Sequence, residues 1–188
     1  MNKKEILKHF LITSMIGPIQ AEFAYEKLMK MPEKGRLVDI GTGRGHSALL
    51  FALTKPKWTI YTIDGYGLYG TIQNVWNLQG KNEFNLSGIP AVRAFWQQHK
   101  VKNIIQVVGN SWEIGWELPA DVIYIDADHS YQAVEKDVKK FVPFLKEDGL
   151  LMLHDYNNTY QVKSYVDKNM LDDWDIEEKD CLAVLTRK

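Results

Sequence analysis

Two short stretches, YIDADHSY at 124–131 and LMLHDY at 151–156, place Asp126, Asp128, His129, His154 and Asp155 directly after apolar runs. Carboxylates beside imidazoles suit two chemistries. Together they can hold a divalent cation that acidifies a bound hydroxyl, or an imidazole can take the hydroxyl proton itself. An ordinary imidazole, with a pKa of about 6.5, accepts a proton at neutral pH. His129 and His154 stand next to acids at the ends of apolar runs, which a packing role does not require. His9, His46 and His99 have no such setting and are read as capping or satisfied buried groups.

A third stretch, LVDIGTGRGHSALLFA at 37–52, runs through Gly41, Gly43 and Gly45 into a helical pattern beginning near His46. Glycines there allow a sharp turn and let a ligand approach backbone N–H groups at a helix N-terminus, which describes a nucleotide or nucleoside cradle. Asp64 follows Gly45 by nineteen residues and is placed to bind a ribose diol. A dinucleotide site shares that acid. The spacing here is G-x-G-x-G rather than G-x-G-x-x-G, and Asp39 lies inside the strand itself.

These groups need a scaffold. Apolar runs rich in branched residues recur at 36–41, 58–64, 103–109, 121–127 and 149–155 without the alternation of a half-exposed sheet. Runs of that kind suit parallel strands covered on both faces. Residues 130–149 carry Val134, Val138, Phe141, Val142 and Leu145 on one helical stripe, with Ser130 as the expected cap, Gly149 as the end and Pro143 as a late breaker. An amphipathic helix is expected at 18–31 and a short one near 3–13, both accessory, and 174–188 reads as a hairpin turning at EEKD. Alternating strands and helices predict a doubly wound, mostly parallel α/β sheet with helices on both faces and a C-terminal antiparallel hairpin. Open sheets of this type bind ligands along their carboxyl edge, so the acids and histidines should meet the glycine loop there.

The length of 188 residues predicts one domain, 1–188, with helices over 1–35. Lys+Arg 23 against Asp+Glu 24 gives no basic excess for nucleic acid, and the basic run KDVKK at 136–140 reads as a solvated helix face. No segment has the roughly 18 uninterrupted apolar residues of a membrane span, and Glu5, Lys8 and His9 interrupt any signal sequence, so a cytoplasmic protein is expected. The single Cys181 is read as a small core residue. Residues 65–89, rich in Gly, Asn and aromatics, form the expected substrate loop, and Tyr66, Tyr69, Trp76 and Trp96 suggest an aromatic entrance. Nothing decides for or against a homo-oligomer.

VDIGTGRG and the TID ending at Asp64 resemble the first two motifs of class I S-adenosylmethionine-dependent methyltransferases, with their Rossmann-like seven-stranded sheet. The resemblance implies that Gly41, Thr42, Gly43 and Gly45 lie against the methionine part of S-adenosylmethionine and that Asp64 holds the ribose hydroxyls. It also implies that Asp39 sets the loop and favours the cationic end of the cofactor. In VVGNSWE, Asn110 or Ser111 stands where the family commonly has an acid facing the adenine amino group, and Trp112 is either an adenine platform or a buried structural indole. The D-x-D-H-S-Y and H-D-Y patterns resemble the small-molecule O-methyltransferase branch that includes catechol, caffeoyl-CoA and antibiotic sugar or cephalosporin-biosynthetic enzymes.

Carried over, the divalent cation of that branch, Mg or Mn, falls to Asp126, His154 and Asp155. An imidazole at 154 replaces a carboxylate and suits hard magnesium less well. Alternatively Asp128 and Asp155 supply oxygens while His129 or His154 acts as base. The implied function is methyl transfer to a hydroxyl of a small-molecule acceptor. A non-catalytic nucleoside-binding scaffold and a nicotinamide-dependent oxidoreductase remain as alternatives.

Overall fold

The computed structural model describes residues 1–10, 16–65, 89–157 and 161–188. The expected acceptor loop, with Tyr66, Tyr69 and Trp76, falls at 66–88, outside the described residues. In chain order the described elements are α1 (Lys3–Leu7), α2 (Pro18–Lys30), β1 (Arg36–Ile40), α3 (His46–Thr54), β2 (Thr59–Asp64), α4 (Ile89–Gln98), β3 (Ile104–Val108), β4 (Ala120–Ile125), α5 (Tyr131–Phe141), β5 (Leu145–Leu153), α6 (Val162–Asn169), β6 (Trp174–Lys179) and β7 (Leu182–Arg187). The strands form one sheet in the order β3-β2-β1-β4-β5-β7-β6, parallel through β5 and antiparallel across the terminal hairpin.

Both faces of the central strands are buried, which is why those runs lack alternation. On one face Leu37, Val122, Tyr124, Leu150 and Met152 pack with Ala21, Ala24 and Leu28 of α2 and with Ala48, Leu49, Leu50 and Phe51 of α3. On the other, Val38, Ile123, Ile125, Leu151 and Leu153 pack with Val134, Val138 and Phe141 of α5 and with Val166 of α6. β3 departs from the expectation: it is an edge strand, with Ile105 45% exposed.

Two boundaries and one capping bond differ from the sequence reading. The helix expected to reach Gly149 stops at Phe141 and passes through a short 3-10 turn, Val142–Phe144. Pro143 has no N–H and its ring crowds the carbonyl four residues back, so KEDG joins β5 instead. Ser130 occupies the N-cap position of α5, yet its side chain makes no capping bond. Glu177, Glu178 and Lys179 belong to β6, and the hairpin turns at Asp180, whose φ of +57° is left-handed.

The strand order reverses between β1 and β4, since the chain builds toward β3 on one side and toward β5 on the other. Such a switch point opens a crevice at the carboxyl ends of the strands. The ladder continues beyond the strands there: Asp126 N donates to Ile40 O at 2.8 Å and His154 N to Ile125 O at 3.1 Å. Gly41 has a φ of +97°, and a Cβ at this position would overlap the backbone carbonyl of Asp126. Gly41→Ala is therefore expected to cost more than about 2 kcal/mol, through both strain and overpacking, in urea unfolding followed by circular dichroism. A wild-type midpoint in that variant would refute the close approach.

Candidate active site

The glycine loop is held from below by a buried polar network. Asp39 is fully buried and accepts from Thr62 Oγ1 at 2.7 Å and Ser47 Oγ at 3.0 Å, while Thr42 Oγ1 and Thr62 Oγ1 are 2.6 Å apart. Burial pushes the Asp39 carboxyl up to about 8, against the pull of its two hydroxyl donors. Asp39 thus ties β1 to β2 and to the start of α3, with Thr42 of the loop joined to it through Thr62. A largely protonated acid, sealed beneath the loop, is unsuited to attracting a cation. Gly45, at φ +79°, makes room for Trp96, whose Nε1 donates to Gly45 O at 2.8 Å. Trp96 is 5% exposed and packs under the loop rather than lining an entrance. Two of the three glycines therefore yield space to the protein itself. Gly43 N donates to Asp64 Oδ2 at 2.9 Å, which sets that carboxylate against the loop.

Beyond β3, Asn110 Oδ1 accepts from Trp112 N at 3.0 Å and Ser111 Oγ donates to Asp137 Oδ1 at 2.6 Å. Both side chains serve this turn, although an amide oxygen retains a second lone pair. Trp112 is not a buried structural indole: it is 37% exposed, with Lys136 Nζ 4.1 Å from the ring centroid. Asp137 was not singled out by sequence. It is buried in α5, and burial pushes its carboxyl up to about 6 despite the bonds from Ser111 and Trp112. The signal was present, because Asp137 shares the apolar stripe of Val134, Val138 and Phe141.

The second half of the crevice gathers both histidines around two carboxylates. His129 Nε2 lies 3.2 Å from Asp126 Oδ1 and 3.1 Å from Asp155 Oδ2. His154 Nδ1 lies 3.0 Å from Asp126 Oδ1 and 3.6 Å from Asp155 Oδ2. That buried nitrogen is held chiefly by the nearer carboxylate, Asp126. Burial alone would lower the His154 pKa, but Asp126 and Asp155 push it up to about 10. Burial likewise opposes ionisation of both acids, and the imidazoles hold them below the usual carboxylate range. Asp155 reaches the cluster from a left-handed backbone, φ +55°, a conformation that non-glycine residues seldom adopt.

Asp128 does not join this group. It is exposed, and its Oδ1 accepts from Ser130 N at 2.8 Å, a local bond that shapes the turn into α5. Two residues that the sequence assigns to no site, Gln20 and the expected core residue Cys181, do reach the cluster. Gln20 Oε1 on α2 lies 2.9 Å from His154 Nε2, and Cys181 Sγ lies 3.9 Å from the same nitrogen. Cys181 is only partly buried, and burial pushes its thiol up to about 11.

Comparison with known proteins bears on what this crevice serves. The family profile described as "Methyltransferase domain" matches residues 38–156, from β1 through the acid and histidine cluster. The chain belongs to this methyltransferase family. An uncharacterised protein of Acanthamoeba polyphaga mimivirus is 25% identical over 135 residues, 71% of this chain, and the chain spans 58% of that relative's length.

Among solved structures, a Staphylococcus aureus protein assigned as a caffeoyl-CoA O-methyltransferase superposes with a TM-score of 0.65 at 18% identity, covering 100% of this chain and 93% of that one. The O-methyltransferase NovP gives 0.68 at 19% identity, covering 93% and 81%. An rRNA methylase from Streptococcus thermophilus gives 0.61 at 12% identity, covering 94% and 98%. These likenesses carry the fold. No helix among the described residues is long and apolar enough to cross a membrane.

The buried acid beneath the loop has a consequence for stability. Above about pH 4 the unfolded chain has lost the Asp39 proton, while the folded chain keeps it until about pH 8. Unfolding across that window releases a proton, so stability falls as pH rises through it. Asp39→Asn is expected to flatten the dependence of urea midpoint on pH between about 5 and 8. An unchanged slope would show that Asp39 ionises normally when folded.

Proposed function

We propose that the chain transfers a methyl group from S-adenosylmethionine to a hydroxyl of a small-molecule acceptor, with a divalent cation held by Asp126, His154 and Asp155. The observation that carries this reading is the convergence of two carboxylates and two imidazoles beside the glycine loop, on neighbouring strand ends. A methyltransferase core alone serves many acceptors, rRNA among them. A cluster able to hold and deprotonate a hydroxyl narrows the choice to O-methylation, and the absence of a basic excess disfavours a polyanionic acceptor.

Bound in the crevice, S-adenosylmethionine would supply an electrophilic methyl group on a sulfonium sulfur. Gly41, Thr42, Gly43 and Gly45 would border its methionine part. Asp64, already bonded to Gly43 N, would meet the ribose hydroxyls that run alongside the same backbone. Asn110, Ser111 and Trp112 would border its adenine end. Family membership favours this ligand over a nicotinamide dinucleotide, which Asp64 alone would fit as well.

The cation is tested by His154 Nδ1. A buried nitrogen with carboxylate oxygens at 3.0 and 3.6 Å places one imidazole and two acids around a common point, a donor set that suits a shared cation. A cation there would lower the pKa of an acceptor hydroxyl and orient it. His154, 6% exposed, is too enclosed to exchange protons with solvent, whereas the His129 side chain is 22% exposed. His129 is therefore the base that receives the hydroxyl proton, and His154 the ligand.

Two variants separate these roles. Asp64→Ala is expected to weaken S-adenosylhomocysteine binding in titration calorimetry by about 10- to 100-fold, the loss of bonds to a charged group. His129→Ala should keep that affinity and lower turnover by about 10²- to 10⁴-fold, read as methylated product by mass spectrometry over a panel of phenols and sugars with Mg2+ or with a chelator. Cofactor binding without product on any hydroxyl acceptor would favour a nucleoside-binding scaffold. Full turnover under chelation would remove the cation.

A further inference from the structure

We infer that Gln20, on the N-terminal helix α2, is a positioning residue that fixes the tautomer of His154 and so aims the Nδ1 lone pair into the proposed cation pocket. This rests on the cation reading of the cluster and extends it to a helix that lies before the part of the chain matched to the methyltransferase family, residues 38–156.

The orientation of the Gln20 amide is settled by partners whose roles leave no choice. Its Oε1 accepts from Gly17 N at 2.9 Å, and a backbone N–H can only donate. Its Nε2 donates to Asp180 Oδ2 at 2.7 Å, and an ionised carboxylate can only accept. Nε2 also contacts Cys181 Sγ at 2.7 Å. The atom 2.9 Å from His154 Nε2 is therefore the amide oxygen. An oxygen without a proton must receive one, so Nε2 carries the imidazole hydrogen. With the Nε2 hydrogen held by Gln20, the proton that a bound cation would displace is the one on Nδ1, the buried nitrogen facing Asp126 and Asp155, and the lone pair left there points at those acids.

The support is rigid. Gln20 is 6% exposed, sits one position before the fully buried Ala21, and is tied to the β6–β7 turn through Asp180 and Cys181. Metal-binding histidines commonly donate their second ring nitrogen to such an acceptor, and removing the acceptor lowers metal affinity by about 10- to 100-fold. Here the acceptor comes from a helix that the sequence marks only as a cover for the sheet. The pocket is thus complete only when α2 is docked.

The test measures Mn2+ affinity of the full chain by electron paramagnetic resonance, with neither methyl donor nor acceptor present. Gln20→Met keeps the length and loses the acceptor, and it should bind Mn2+ at least about tenfold more weakly than wild type. The double variant Gln20→Glu, Asp180→Asn exchanges donor and acceptor across the pair while keeping an oxygen toward His154, and it should regain most of that affinity. Equal affinity in wild type and Gln20→Met would overturn the role of Gln20 and leave the cation in place. No Mn2+ binding by wild type would overturn both. Should Gln20→Met fail to fold, the Mg2+-loaded wild type decides. A nitrogen-15 correlation spectrum must show the His154 hydrogen on Nε2, and a hydrogen on Nδ1 would overturn the inference.

Discussion

The backbone of Gly41 lies so close to the Asp126 carbonyl that no Cβ fits between them. This contact joins the loop after β1 to the acid after β4 at the point where the strand order reverses. The consequence is chemical. Whatever the glycine loop holds is placed, without any further device, beside the carboxylates and imidazoles of the next two strand ends. The hydrogen bonds that continue the sheet from Ile40 to Asp126 and from Ile125 to His154 make that placement a property of the sheet rather than of flexible loops. Sites carried on strand ends are held more tightly than sites carried on loops, and in-line transfer between two bound molecules depends on such alignment.

The crevice buries several acids in a chain of nearly balanced charge, and it does so in two ways. Asp39 retains its proton well into the neutral range and acts through hydroxyl partners, so a carboxyl beneath the loop costs little charge desolvation. Asp126 and Asp155 stay ionised because His129 and His154 face them. The first arrangement makes the loop rigid. The second keeps negative charge in the pocket, where a cation or an imidazolium can meet it. The left-handed backbone of Asp155 belongs to the second arrangement, since it swings that carboxylate back toward Asp126 instead of along β5.

Much of this was readable from residues alone. Central strands such as VIYI and LLML announce themselves because both faces are covered, and Gly41 with Asp64 and the paired histidine stretches mark one edge of the sheet. β3 lies at the sheet edge although its run is as apolar as the central ones, because an apolar run does not reveal which strand lies outermost. The end of α5 was placed too late because Leu145 continues the helical stripe, whereas Pro143 decides the backbone. Asp128 and Asp155 look alike in sequence, each beside a histidine. Only backbone geometry separates the one that closes a surface turn before α5 from the one that turns into the pocket. Gln20 carries no such mark, because its partners lie 134 and 160 residues away along the chain.

The central claim is that one crevice holds the methyl donor and a cation side by side. A crystal grown with S-adenosylhomocysteine and Mn2+, with data collected at the manganese edge, tests it most directly. The account predicts a single anomalous peak among Asp126, His154 and Asp155, with the ribose of the ligand on Asp64. Manganese bound elsewhere, or an adenosyl group away from the Gly41 to Gly45 loop, would contradict it.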